Sequence, residues 1–164
     1  MLATLGIKKE VKRGDSILPC WHWLYFLETT NKNDIANDGH AIKGNFLPPV
    51  KLSRRMYAGG KLFFYSPIKI GDELSKKSEI ISINEKIGSS GKLIFVSVKH
   101  TILNKGKILL EDFQDIVYTN SFYKKSKSLN LKRNNYTPSF SAEHSTDPVI
   151  LFRYSALTFN SHKS

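Results

Sequence analysis

The sequence is poor in several residue types, and each shortage excludes something. Its 164 residues hold one cysteine, Cys20. An intrachain disulfide is therefore impossible, and a reducing compartment is the natural home. No run approaches the ~20 consecutive apolar residues of a membrane span. The densest apolar stretch, Trp21 to Leu27, is too short. The beginning, MLATLGIKKEVKRGD, lacks the ~7–15-residue apolar stretch of a secretory signal, and Glu10 and Asp15 argue against a transit segment. A soluble, cytoplasmic protein is the expectation. Arginine is scarce, with 20 Lys against 5 Arg in a net charge of +11. Specific phosphate and base recognition leans on Arg, and the lysines are scattered over strands and turns. A solvated basic surface is the preferred reading, with no nucleic-acid partner. No G-x-G-x-x-G or Walker pattern is present. Cys20, His22, His40, His100 and His144 show no metal-ligand spacing, so no metal is expected.

What is present is a globular composition, 40% hydrophobic and 12% aromatic. The heaviest apolar load is ILPCWHWLYFL at 17–27, where Pro19 stops any helix begun earlier. The Asn-, Asp- and Gly-rich residues that follow read as a loop or a short helical turn. Pro48-Pro49 forces extended backbone, and Gly59-Gly60 permits a tight turn or a close backbone approach. Residues 61–66 read as a short strand and 73–83 as a second. In KLIFVSVKHTIL, residues 92–103, Ile94, Val96, Val98, His100 and Ile102 fall on one face. Asn104-Lys105-Gly106 signals a hairpin, with 107–119 as the partner strand. This antiparallel meander has one apolar face, and only the WHWLYFL stretch is apolar enough to cover it. Lys, Ser and Asn dominate 120–147. Asp147-Pro148 then offers an N-cap and a first-turn proline to a helix at 148–158. Pattern alone supports an α+β fold with an antiparallel meander.

Four stretches narrow this: LPCWHWLYFLETT, GNFLPPVKLSRRMYAGGKLFFYSPIKIGDEL, GKLIFVSVKHTI and DPVILFRYSALTFNSHK. In order and spacing they resemble the MaoC-like, type-2 hydroxyacyl-thioester dehydratases, and within them the mesaconyl-CoA hydratase group. The resemblance implies a hot-dog fold, a long antiparallel sheet wrapped round a helix, here as an incomplete double hot-dog. Residues 1–119 would form the N-terminal, non-catalytic repeat, 120–147 a basic linker, and 148–164 the first helix and motif of the catalytic repeat. The implied chemistry is reversible addition of water to the double bond of an enoyl thioester. A carboxylate or amide and an imidazole hold the water and move the proton, while a backbone N–H at the helix end polarises the thioester carbonyl.

Carried onto this sequence, Asn160 stands at the acid or amide position and His162 lies between the two catalytic positions. The motif's own His would follow Lys163 by two places, beyond Ser164. The expectation is therefore weak activity for this chain alone. An interrupted sequence, a site completed by a second polypeptide and a retired enzyme all stay open. Arg54 and Arg55 would meet coenzyme A phosphates, or else form ordinary surface ion pairs. Gly59 and Gly60 would wall the thioester tunnel, or else merely turn the chain. His22 and His100 read as packed or hydrogen-bonded core residues. No cofactor is implied beyond the coenzyme A thioester as substrate. The partners implied are an acyl-CoA or acyl-carrier-protein thioester and a second hot-dog, as a homodimer or a separate chain. The other class of reading is a non-catalytic hot-dog subunit that pairs with a separate catalytic half.

Overall fold

A computed structural model describes residues 1–88, 91–120, 137, 139–143, 145 and 147–160. Four strands form one antiparallel sheet in the order β1-β4-β3-β2. They are β1 (Arg54–Phe64), β2 (Ser75–Gly88), β3 (Gly91–Asn104) and β4 (Lys107–Thr119). One α-helix, α1, spans Pro148–Leu157, and 3-10 turns occur at Trp21–Leu24 and Lys32–Asp34.

The hairpin between β3 and β4 follows directly from its turn residues. Lys105 and Gly106 both take positive φ, 47° and 82°, the backbone twist that a two-residue hairpin loop needs. The expected alternation on β3 is also seen. Val96, Val98 and Ile102 are buried, and Ile94 and His100 are half-buried. Two apolar cores result. One gathers Leu52, Val96, Val98 and Tyr118. The other gathers Ile68, Ile102, Leu109 and Leu110, with Ile17 and Phe26 packed on it.

The segment 17–26 therefore covers the sheet as its composition requires, but as a single 3-10 turn. His22 is its buried residue, while Trp23, Tyr25 and Leu27 keep an exposed edge. Upstream, Ser16 bridges Lys69, and Ile17 N–H donates to the Ile68 carbonyl at 2.9 Å. The antiparallel sheet with a segment laid across its inner face is the α+β hot-dog class expected from the sequence.

One local expectation needs correction. Gly59-Gly60 does not turn the chain ahead of a strand at 61–66. Strand β1 begins at Arg54 and runs through both glycines, with a bulge between Tyr57 and Gly59. Across from it, β4 supplies an apolar ladder that makes the longer pairing worthwhile, with Met56 opposite Val117 and Tyr57 opposite Ile116. The other glycine reading, close backbone approach, holds at Gly60. A Cβ there would collide with the Phe113 carbonyl oxygen and the Tyr57 hydroxyl, whereas at Gly59 it would meet nothing.

Candidate functional site

Helix α1 leads to Asn160, the candidate amide of the motif. Its start is built by Asp147, whose Oδ1 accepts from Val149 N at 2.8 Å and Ile150 N at 3.0 Å. Pro148 follows in the first turn. Its end is closed by Phe159 N–H to the Ala156 carbonyl, 3.2 Å, and Asn160 N–H to the Ser155 carbonyl, 2.8 Å. This pairing satisfies the last helical carbonyls and requires a left-handed residue, usually glycine, just past the helix. Here that residue is Phe159, with φ 52°. Left-handed backbone costs a bulky side chain roughly 1–2 kcal/mol, and such strain gathers at functional sites. Asn160, the candidate amide, is the next residue. It is exposed, at the chain reversal that this strained residue creates. His162 lies outside the described residues.

The other sequence-derived candidates share strand β1. Arg54 and Arg55 open it, opposite Thr119 and Tyr118 of β4. Tyr118 is fully buried. Burial pushes its phenol above the ordinary value, against the pull of the Arg55 guanidinium beside it. Gly59 and Gly60 lie at the bulge. Helix α1 has no extensive contact with any strand. Asn160 and the four β1 residues thus sit on separate elements, and neither of the two cavities described below is lined by any of them.

Both cavities flank the 17–26 segment. One, about 240 Å³, lies among Ile17, Tyr25, Phe26, Ile68, Ile70 and Leu74. The other, about 180 Å³, lies among Leu5, Cys20, Trp21, Trp23, Leu24 and Tyr154, the last a residue of α1.

A buried polar group that the sequence reading passed over joins this segment to the sheet. Asp112 on β4 is 3% exposed. Its Oδ2 accepts from Trp23 Nε1 at 2.8 Å and from Gln114 Nε2 at 3.0 Å, and His22 Nε2 lies 3.5 Å away. Burial pushes the carboxyl up, but the hydrogen bonds from His22, Trp23 and Gln114 outweigh it, so the group sits below its ordinary 3.8. His100 stands opposite Asp112 and Ser78 opposite His100, so the three form a polar row across β4, β3 and β2. His100 Nδ1 lies 2.7 Å from Ser78 Oγ. Burial, helped by Lys76, lowers the His100 pKa against the opposing pull of Asp112 and Glu28, which makes it the hydrogen-bonded core histidine expected. The row separates the two apolar cores.

The signal for Asp112 was present but scrambled. From the Lys105-Gly106 turn, simple counting sets His100 opposite Glu111. A register shift between Ile102 and Leu103 leaves Leu109 as an extra residue on β4 and sets His100 opposite Asp112 instead. Among the described residues, no three His, Cys, Asp or Glu side chains come together as a metal-ligand group. Among the same residues no helix is long and apolar enough to cross a membrane.

Comparison with known proteins places these features in a family. Residues 20–163 match the family of hydroxyacyl-thioester dehydratase type 2. The chain is 36% identical over 162 residues to a mesaconyl-C(4)-CoA hydratase of Chloroflexus aurantiacus, covering 98% of this chain and 58% of that protein. It thus spans little more than half the length of that relative. Solved structures with partial similarity include the ChsH1-ChsH2 complex of Mycobacterium tuberculosis, with 12% identity, 46% of this chain and 43% of that chain covered, and a TM-score of 0.40. HtdX of the same organism has 12% identity, covers 65% of this chain and 40% of that chain, and gives a TM-score of 0.42. The match of the family through both the WHWLYF segment and the helix-end motif shows that this chain belongs to the hydroxyacyl-thioester dehydratase type 2 family.

Proposed function

We propose that the chain is part of an enoyl-thioester hydratase or 3-hydroxyacyl-thioester dehydratase, acting on a coenzyme A or acyl-carrier-protein thioester without a further cofactor. The observation that carries this is the 36% identity along 98% of the chain to a mesaconyl-C(4)-CoA hydratase. In the hydration direction, water oxygen bonds to the carbon distal to the thioester carbonyl, and a proton goes to the carbon beside it. Asn160, just past the end of α1, orients the water, and His162 assists the proton movement. Arg54 and Arg55 face the carrier's phosphates, and Gly59 leaves room along β1 for the thioester arm, whereas the space beside Gly60 is taken by the Phe113 carbonyl and the Tyr57 hydroxyl. Work in the cytoplasm fits the single cysteine, since a lone thiol gains nothing from an oxidising compartment.

The partner in this reading is a second hot-dog, in a homodimer or on a separate chain. The exposed apolar residues of α1 support it: Val149, Leu151 and Phe152 are 61%, 56% and 74% exposed, a patch that invites a cover. The same residues favour the second reading, a non-catalytic subunit that only docks on a catalytic half.

The test is hydration of crotonyl- and mesaconyl-CoA, followed by loss of the enoyl-thioester absorbance. The chain is assayed alone and co-expressed with the portion of the Chloroflexus relative that it does not cover. A rate well above either part is the expected result, and Asn160→Ala should lower it by ~10²–10⁴. Binding without any gain in rate would favour the docking subunit. Neither binding nor rate would end both readings.

A further inference from the structure

Among the described residues helix α1 has no extensive contact with any strand or with either 3-10 turn, so its placement depends on individual side chains. Tyr154, in its middle, shares the 180 Å³ cavity with Cys20, Trp21, Trp23 and Leu24. Tyr154 thus faces the 3-10 segment across this cavity, near enough to Cys20 for the two to interact electrostatically. That segment is itself a strained support. Cys20, which precedes the 3-10 turn, takes φ 68°, a left-handed conformation that a non-glycine residue keeps only when its surroundings impose it. Only three residues on, the Trp23 indole donates to buried Asp112 at 2.8 Å, with His22 against the same oxygen at 3.5 Å. Asp112 belongs to β4, an interior strand paired on both sides, to β1 and to β3. The link from the sheet thus runs through one carboxylate oxygen and one indole to the cavity that Tyr154 of α1 also lines, and Asn160 lies just past the end of that helix.

We propose that Asp112 is a positioning residue for α1: by holding Trp23 it fixes one wall of the cavity that Tyr154 lines, and so fixes where the chain just past the helix presents Asn160. The consequence for catalysis rests on the hydratase reading above, but the mechanical coupling does not. Removing the carboxylate leaves the Trp23 N–H and the His22 ring without their buried acceptor, which loosens the segment. Cys20 then loses the constraint that holds its left-handed backbone, and Tyr154 loses its wall.

The test is backbone hydrogen exchange on the full chain, read separately for the 3-10 segment, α1 and β3. In Asp112→Leu, exchange should rise about tenfold in the 3-10 segment and in α1 alike, with β3 unchanged. Asp112→Asn keeps an acceptor for the indole and should restore α1 to near the native rate, a rescue that a generally destabilised fold would not show. Trp23→Phe removes the donor but keeps an aromatic ring, so it carries the same test if Asp112→Leu does not fold. A rise in the 3-10 segment with α1 unchanged would overturn the proposal, as would an α1 already unprotected in the native chain. In the reconstituted hydratase, Trp23→Phe should lower kcat with little change in KM. Absence of hydration in every preparation would remove the functional reading and leave the exchange result standing.

Discussion

Two adjacent glycines make opposite predictions. Gly59 and Gly60 sit side by side at the β1 bulge, both outside the left-handed region, so alanine meets no backbone penalty at either. A Cβ at Gly59 meets nothing within 4 Å. Gly59→Ala should then only remove the entropic disadvantage of glycine in a strand, a gain of about 0.5–1 kcal/mol. At Gly60 the Cβ would overlap the Phe113 carbonyl oxygen and the Tyr57 hydroxyl. The tyrosine is 70% exposed and can swing away, but the carbonyl belongs to the interior strand β4 and cannot. Overpacking of this kind costs about 1–3 kcal/mol. For a chain of this size each kcal/mol is worth about 2–4 °C. Set against the same gain of about 0.5–1 kcal/mol, Gly60→Ala should melt up to about 10 °C below the native chain, and Gly59→Ala at or slightly above it. Circular dichroism melts of the three proteins decide the matter. Equal losses at both positions would refute the bulge geometry and return the pair to being a turn.

Two further outcomes are expected. Asp112 has a folded pKa below 3.8, so its contribution is complete above that value and is lost as the pH falls through the folded pKa; in urea titrations the stability gap between native chain and Asp112→Asn should narrow as the pH drops below about 4, and a constant gap would show that the carboxylate is not held as described. Phe159→Gly removes a left-handed cost of about 1–2 kcal/mol and adds a glycine entropy cost of about 0.5–1 kcal/mol, so urea unfolding should show a net gain of at most about 1.5 kcal/mol. In the reconstituted hydratase that variant should nonetheless lose rate, because the added freedom lies next to Asn160.

Much of the fold was legible because its signals are local. The Lys105-Gly106 turn, the alternation on β3 and the Asp147-Pro148 start of α1 each depend on a few neighbouring residues, and each stands where the sequence puts it. What was not legible depends on register. The start of β1 at Arg54 is decided by the ladder that β4 offers, not by the residues of β1 themselves. The polar row was hidden by the extra residue Leu109, which shifts His100 from Glu111 to Asp112. For the site, the motif named Asn160 from its sequence neighbourhood alone. No sequence signal showed that Tyr154 would share a cavity with Cys20 and Trp23, since more than a hundred positions separate them.

The placement of Asp112 has a physical logic that ties these strands of argument together. Pure apolar packing would hold a 3-10 segment on this sheet without saying where along it, since both cores offer similar aliphatic surface. A buried carboxylate between the cores removes that freedom. It accepts the Trp23 indole in only one placement of the segment, and every shifted placement leaves a buried charge and an indole N–H unsatisfied, at about 1–3 kcal/mol for the lost hydrogen bond and more for the charge. A small cover needs such a pin more than a long helix does, because it has fewer side chains to interlock. Replacing the pair by well-packed apolar residues would not necessarily destabilise the chain. It would instead release the position of the cover, and with it one wall of the cavity that Tyr154 lines.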